Sequence, residues 1–156
     1  MARMVHLLTE PFRPGEYMGA FTDAHPGRGG VCSFVGEVRG DAATGASADQ
    51  RVEALELSHY EKLTLPAMEA LADRAIARFG LMGLLIVHRS GVMRAGEPIV
   101  LVSAAARHRR GAIDAVDFTM DHLKSDSWFW KREKRADGWH WIEPREDDHA
   151  DLARWK

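Results

Sequence analysis

Two lysines seven residues apart, separated by a cluster of aromatic side chains, are the residues of this chain best suited to chemistry. Lys124 and Lys131 flank Trp128, Phe129 and Trp130. Lysine is scarce in the chain, with 5 copies against 16 arginines. A lysine amine, unlike a guanidinium, can lose its proton when it is desolvated or lies beside other cations, and it can then transfer protons or attack a carbonyl group. The aromatic side chains are one source of that desolvation.

Further basic residues indicate an anion-binding site. His108 and Arg109 belong to an Arg-His-Arg-Arg segment where a predicted strand gives way to a predicted helix. The first turn of a helix offers free N–H groups and a partial positive charge, so basic side chains there favour phosphate or carboxylate binding. Arg39, which ends a predicted strand beside a glycine, is a weaker signal of the same kind.

Each of these residues also has an ordinary structural explanation, which is the better one when the residue is taken singly. Arginines at the start of a helix solvate the junction. Lys124 at the predicted end of a helix complements the helix dipole, and Lys131 beside other basic residues is then a solvated lysine. Trp and Phe side chains most often pack in a core or a dimer contact. A functional site becomes the stronger interpretation only when these features are combined.

The overall composition is that of a soluble globular domain. The 156 residues are 46% apolar and 28% charged, with a formal net charge of −2, so no global basic field favours nucleic acid. Residues 107–135, in contrast, contain eight Lys or Arg against five Asp or Glu. This local excess suits a small anionic ligand or an acidic peptide tail. We expect one domain over residues 1–156, with a charged tail from about residue 146 whose composition suits a flexible segment.

Several classes of chemistry lack their sequence patterns. The single cysteine, Cys32, cannot form an internal disulfide, suits a reducing compartment and is expected to be inert packing. The chain has no His-Glu-x-x-His, no paired Cys-x-x-Cys, no Walker A or Gly-x-Gly-x-x-Gly loop, and no Gly-x-Ser-x-Gly. It also has no apolar run of membrane-spanning length and no signal-peptide pattern. We therefore expect a cytoplasmic protein that needs neither a metal nor a cofactor.

Hydrophobic periodicity predicts six strands and three helices. The strands are predicted at residues 4–8, 30–39, 52–59, 84–88, 98–105 and 139–143. The helices are predicted at residues 15–24, 65–79 and 110–124. Pro66 suits the first turn of the second helix and Gly80 its C-terminal cap. The strand at 30–39 is expected to be buried, and the small polar segment 40–50 to be a mobile loop. This order of elements favours an α+β fold with a mostly antiparallel sheet and packed helices.

Eight short segments, taken in order, resemble the MoaE family, the large catalytic subunits of molybdopterin synthase. The segments are Phe34-Val35-Gly36-Glu37-Val38-Arg39, Leu57-Ser58-His59-Tyr60, His88-Arg89-Ser90-Gly91, Gly96-Glu97, His108-Arg109, Met120-Asp121-His122-Leu123-Lys124, Phe129-Trp130-Lys131-Arg132-Glu133 and Trp141-Ile142-Glu143-Pro144-Arg145. They cover nearly the whole chain. No single segment is decisive, but Asp-x-Leu-Lys followed by Phe-Trp-Lys-Arg-Glu is specific.

The resemblance implies a fold, a set of partners and a reaction. The fold is of the α/β-hammerhead type, and the protein is a homodimer that binds a small ubiquitin-like sulfur-carrier subunit of the MoaD type. That carrier ends in Gly-Gly bearing a thiocarboxylate, and its tail enters a pocket of the large subunit. The reaction moves two sulfurs onto cyclic pyranopterin monophosphate and forms the dithiolene of molybdopterin.

The resemblance also implies roles for individual residues. Lys124 and Lys131 become the catalytic candidates. The first hypothesis is that Lys124 polarises or protonates the reacting carbonyl or ring-opening oxygen while Lys131 holds the carboxyl-terminal tail, and the alternative exchanges these roles. The candidates for binding the substrate or the carrier tail, or for flanking the site, are Glu37, Val38, Arg39, His108, Arg109, Arg132, Glu133 and Arg145. Glu37 stands where many relatives have lysine, so its backbone rather than its side chain is the expected contact. Trp128 replaces a common proline and Ile113 a common aromatic residue, and neither change removes a catalytic lysine.

Helix geometry adds one expectation about assembly. Arg109 and Lys124 are fifteen residues apart on one predicted helix, which is about 22 Å at the α-helical rise. A small pterin does not reach both ends of that helix in one chain, so we expect the site to be shared between two subunits, with His108 and Arg109 supplied by the neighbour.

Two other functional classes remain alternatives. In the first, the basic segment is a non-catalytic module that docks an anion, an acidic peptide or RNA, with salt-dependent binding. In the second, one lysine forms a Schiff base with a carbonyl substrate. Neither alternative explains why the eight segments occur in one order.

Overall fold

The described residues of the chain form eight strands and four helices. The structure is a computed structural model, and it describes residues 2–40, 51–126 and 128–156. The strands are β1 (Arg3–Leu8), β2 (Gly30–Glu37), β3 (Ala54–His59), β4 (Gly83–Arg89), β5 (Gly91–Arg94), β6 (Pro98–Ala106), β7 (Phe129–Arg135) and β8 (Gly138–Ile142). The helices are α1 (Pro14–Ala24), α2 (Glu61–Phe79), α3 (Arg109–Ser125) and α4 (Glu146–Ala153). All but the first residue of the predicted mobile loop at 40–50 lies outside the described residues.

Sheet A has the strand order β1-β4-β6-β2, with β1 parallel to β4 and the other pairs antiparallel. Its central strands β4 and β6 are buried on both faces, which explains their continuous apolar sequence. On one face Met68 of α2 and Ala115 of α3 share a buried cluster with Ile86. On the other face Phe21 of α1 packs with Leu85. This sheet and three helices form the main core.

Sheet B has the order β5-β3-β7-β8 and is antiparallel throughout. Its inner face buries Leu55, Leu57 and Met93 against Val38. The chain passes from sheet A to sheet B at Ser90, the single residue between β4 and β5. The end of β4 therefore lies close to the strands of sheet B.

The α+β class and the mostly antiparallel pairing are confirmed, although the strands form two sheets rather than one. Three elements have no counterpart in the sequence prediction. Strand β5 lies between the predicted strands at 84–88 and 98–105, where no strand was predicted, and β7 carries too many charged residues to show apolar alternation. The charged tail forms α4, which has no buried residue and hence no apolar stripe.

Three predicted details are wrong. Strand β2 is an edge strand rather than a buried one, and it exposes 36% of Val31 and 43% of Phe34. It also ends at Glu37, two residues before the predicted end. Helix α2 begins at Glu61, so Pro66 lies in its second turn and not its first. A proline there removes one backbone hydrogen bond and its ring crowds the carbonyl four residues earlier, a cost that the packing of the apolar face of the helix offsets.

The helices were compared in length and hydropathy with what a membrane-spanning helix needs. Across the ranges 2–40, 51–126 and 128–156, none of them combines the length and the hydropathy that a bilayer crossing needs.

Replacement of the glycine that ends α2 tests the confirmed cap. Gly80 has φ +60°, and an added Cβ would meet nothing within 4 Å. Gly80→Ala should therefore lower the free energy of unfolding by about 1 kcal/mol through backbone conformation alone. Gly19→Ala, inside α1 and equally free of contacts, is the control and should raise it by about 0.5 kcal/mol. Equal changes in urea unfolding of the two variants would contradict the left-handed cap.

Candidate active site

Lys131 lies on β7, between β3 and β8, where sheet register turns its side chain inward. It stands opposite the buried Leu57 on one side and Ile142 on the other. Burial lowers the pKa of Lys131 below its ordinary value, and the charge of Lys124 lowers that pKa further, with a smaller contribution from Arg39. The inward position thus supplies the desolvation that the sequence reading assigned to the aromatic residues.

Lys124 lies one residue before the end of α3 and is exposed. The end of that helix is tied to α4, because Ser125 Oγ donates a hydrogen bond to the carbonyl of Asp148 at 2.8 Å. The charge of Lys124 acts on Lys131 and on Asp148. The two lysines that the sequence placed seven residues apart therefore share one region of the surface, and Asp148 belongs to it.

Two carboxylates moderate this group of cations. Glu133 lies two residues after Lys131, on the same face of β7, and its carboxylate is 3.0 Å from Arg135 Nη2. Asp148 is 3.2 Å from Arg145 Nη2. Burial opposes the ionisation of Asp148, but its hydrogen bonds with Arg145 outweigh that effect and lower its pKa. Both carboxylates raise the pKa of Lys131, so they offset part of the effect of burial.

Arg39 is brought into the same region by the backbone of Val38. The Val38 N–H donates to the carbonyl of Glu97 at 3.0 Å, and its carbonyl accepts from the N–H of Gly96 at 2.8 Å. Val38 is buried, whereas Glu37 and Arg39 are exposed. The backbone polar groups of Val38 are thus occupied within the chain, and Arg39 projects from a fixed point.

His88 is a site residue that the sequence analysis did not propose. Its ring stacks on Phe129, with 4.0 Å between centroids and 16° between planes. Its Nδ1 lies 3.0 Å from the carbonyl of Arg89, and since a carbonyl only accepts, Nδ1 carries the proton. Burial lowers the pKa of His88 to about 4, and the charges of Lys124 and His59 lower it too. A neutral imidazole therefore lies within reach of the charge of Lys124. The available signal was one histidine ending an otherwise apolar strand.

Three predicted site residues are not brought to this region within one chain. Arg132 points to the outer face of sheet B, where its Nε is 2.6 Å from Glu56 Oε1 and its guanidinium lies 4.4 Å from the ring centroid of Trp139. His108 and Arg109 are exposed at the first turn of α3. The helix is continuous from Arg109 to Lys124, which leaves about 22 Å between those residues.

The arrangement is suited to holding anions beside an amine of lowered pKa. Lys124 and Arg39 supply positive charge around the partly desolvated Lys131. Arg145 adds a further cation beside Asp148. Such a group stabilises negative charge that develops on a bound oxygen or sulfur. Within the described part of the chain, no three His, Cys, Asp or Glu side chains are grouped so as to hold a metal ion.

The neutral state of His88 makes the protein sensitive to acid. The unfolded state binds the proton with a pKa of 6.5 and the folded state with one of about 4, so stability is full above that window and falls as the pH falls through it. Between about pH 7 and about pH 4.5 this group should remove about 2 kcal/mol of unfolding free energy. Over the same pH range, the unfolding free energy of His88→Gln, measured by urea titration, should fall by about 2 kcal/mol less than that of wild type. His149→Gln, at an exposed position, should behave as wild type. The same acid loss in all three proteins would contradict a buried neutral His88.

The chain is similar to known proteins of one family. The family model described as MoaE protein matches residues 7–126. The chain is 43% identical over 152 residues to the molybdopterin synthase catalytic subunit of Caulobacter vibrioides, covering 97% of each chain. It matches the structure of the molybdopterin biosynthesis MoaE protein of Burkholderia ambifaria with a TM-score of 0.80 and 35% identity, over 99% of this chain and 98% of that one.

A more distant structure shares the fold alone. A protein–protein complex of subunits 1 and 2 of the molybdopterin-converting factor of Helicobacter pylori contains a chain that matches with a TM-score of 0.73 and 19% identity, over 90% of this chain and 91% of that one. The resemblance seen in the ordered motifs is confirmed by the family model and by the Caulobacter vibrioides relative. The chain belongs to the MoaE family.

Proposed function

We propose that this chain is the catalytic subunit of a molybdopterin synthase and acts in molybdenum cofactor biosynthesis. In this proposal it transfers sulfur from the C-terminal thiocarboxylate of a small ubiquitin-like carrier subunit to cyclic pyranopterin monophosphate and forms the dithiolene. The observation that carries the proposal is the half-buried Lys131, whose pKa is lowered by burial and by the nearby Lys124. The relative named molybdopterin synthase catalytic subunit, 43% identical over nearly the whole chain, supports it.

Charge explains why this site suits the reaction. The thiocarboxylate of the carrier and the phosphate of the substrate are both anionic, and each tetrahedral intermediate adds negative charge. Arg39, Lys124, Lys131 and Arg145 can hold these groups together and stabilise the charge that develops during sulfur transfer. His88 adds no charge of its own, because it is neutral above its lowered pKa of about 4.

The environments of the two lysines support different roles. Proton transfer is most efficient from a group whose pKa lies near the working pH. Lys131, partly buried and with a lowered pKa, is the better proton donor to a reacting carbonyl or ring-opening oxygen. Lys124, exposed at the end of α3, is the better contact for an incoming tail. The first hypothesis from the sequence gave proton donation to Lys124 and the tail contact to Lys131. The environments of the two lysines favour its alternative, in which these roles are exchanged.

The partner belongs to the proposal as well. The Helicobacter pylori structure is a complex of two subunits of a molybdopterin-converting factor, which supports a small carrier subunit as the partner here. We place the reaction in the cytoplasm, because the single Cys32 suits a reducing compartment.

Removal of either lysine amine tests the proposed chemistry. Lys124→Ala and Lys131→Ala should each fold as wild type and lower the rate of dithiolene formation by about a hundredfold or more. The measurement is reconstitution with thiocarboxylated carrier and the pterin precursor. Lys134→Ala, an exposed lysine on the same strand, is the matched control and should retain activity. Full activity in Lys124→Ala or Lys131→Ala would refute the role of that residue, and wild type without product would favour a binding module.

A mixing experiment tests whether two subunits share each site. Arg109→Ala and Lys131→Ala chains should each be inactive alone. When the subunits are exchanged, a mixed dimer would carry one intact site and one doubly defective site, so activity should return to about a quarter of wild type. Lys124→Ala mixed with Lys131→Ala is the control and should not recover, because both residues come from one chain. Absence of recovery in the first mixture would place Arg109 and Lys131 in one site of one chain.

A further inference from the structure

Arg89 is a buried cation with few partners. Only 6% of its side chain is exposed. Its Nη2 donates to the carbonyl of Val92 at 3.3 Å and its Nη1 lies 3.4 Å from the Glu97 carboxylate. Among the residues that the structure describes, neither Nη1 nor Nε has a hydrogen-bond acceptor. Burial of a charge that is incompletely paired is costly. Arg89 lies at the junction between the two sheets, where a fixed guanidinium can define the local geometry.

Glu97, the ionic partner of Arg89, closes the turn that follows β5. Its carboxylate accepts a hydrogen bond from the Arg94 N–H at 2.6 Å, and its own N–H donates to the Arg94 carbonyl at 3.1 Å. Gly96 between them has φ +86°, a conformation that the turn requires. The pair of charged side chains thus fixes the shape of the turn at residues 94–97.

The turn at residues 94–97 contacts the chain on both sides of Arg39. Before Arg39, both backbone polar groups of Val38 bond to Gly96 and Glu97. After it, Gly40 lies so close that an added Cβ would come within 2.8 Å of the Ala95 Cβ. Strand β2 cannot supply this restraint, because its register with β6 already shifts between Gly36 and Glu37.

We propose that the Arg89–Glu97 pair positions Arg39, by holding the 94–97 turn against Val38 and Gly40 so that the backbone from which Arg39 projects toward the lysine region stays fixed. Arg89 and Glu97 are positioning residues and touch no substrate. The consequence for turnover rests on the function proposed above, whereas the geometric claim does not.

The pKa of Lys131 depends on the position of the Arg39 charge. The charge of Arg39 lowers the pKa of Lys131, although less than burial and Lys124 do, and Glu97 is not one of the described charges with the largest effects on that amine. Displacement of Arg39 should therefore raise the pKa of Lys131. A direct effect of removing the Glu97 charge would have the opposite sign, because loss of a carboxylate lowers the pKa of a nearby lysine.

The experiment measures the pKa of Lys131 by NMR of the lysine side chains in the free protein. Glu97→Gln and Arg39→Ala should each raise it, and Glu97→Gln should add nothing further when Arg39 is already alanine. Arg154→Ala, which breaks exposed ion pairs with Asp117 and Asp121, is the control and should leave it unchanged. An unchanged or lowered pKa in Glu97→Gln, or equal increments in both backgrounds, would overturn the proposal.

A steric pair of variants tests the same contact without altering any charge. Gly40→Ala should raise the pKa of Lys131 as Glu97→Gln does, and Ala95→Gly in the same chain should restore it by removing the opposing Cβ. In reconstituted enzyme Gly40→Ala should lower kcat/KM about tenfold, with recovery in the double variant. Gly40→Ala with wild-type titration would overturn the proposal. Wild type that forms no dithiolene would refute the proposed function alone, because the NMR result does not depend on turnover.

Discussion

Partial burial of one amine among several other cations is the constraint around which this protein is arranged. Lys131 loses part of its hydration on the inner face of sheet B, and Lys124 and Arg39 act on it with like charge. Each of these effects opposes the charged amine. The group is tolerable because Glu133 and Asp148 supply negative charge from β7 and α4. Removal of those carboxylates would leave a concentration of positive charge that favours unfolding.

His88 meets the same constraint in a different way. A second ionisable group beside the lysines would add to the repulsion if it were charged. Burial against Phe129 keeps the ring neutral, and its Nδ1–H bond to the backbone fixes the tautomer. The stacked ring also bounds the start of β7, the strand that carries Lys131. One side chain therefore limits both the charge and the geometry of the region.

The sequence predicted the framework well and the placement of side chains poorly, for physical reasons. Strands β4 and β6 are buried on both faces, so their apolar runs were unmistakable. Strand β7 alternates Lys131 and Glu133 inward with Arg132 outward, so polarity does not distinguish its faces. The separation of Arg132 from Lys131 follows from the strand itself, which places successive side chains on opposite faces, and the charged sequence of β7 did not identify it as a strand.

The grouping of Lys124 with Lys131 could be anticipated, but its cause could not. The sequence suggested desolvation by Trp128 and Trp130, yet Trp130 is 49% exposed. The inward face of sheet B provides the burial instead. The contribution of Asp148 was also hidden, because the segment after Arg145 reads as a charged tail with no apolar stripe. Its helix is held by polar contacts such as that from Ser125 to Asp148, which hydrophobic periodicity does not detect.

The length of α3 carries the last consequence. The helix delivers Lys124 to the lysine region at one end and presents His108 and Arg109 at the other. Its rigid rise of about 1.5 Å per residue prevents these ends from meeting in one chain. If all of these residues act on one phosphorylated substrate, the two ends of each helix serve two different sites, and two-fold pairing is the simplest arrangement that completes both. The exposed edge strand β2, with Val31 and Phe34 partly uncovered, lies against the same helix end. The partly exposed apolar side chains of β2 therefore lie beside His108 and Arg109, the residues that a second subunit would have to contact.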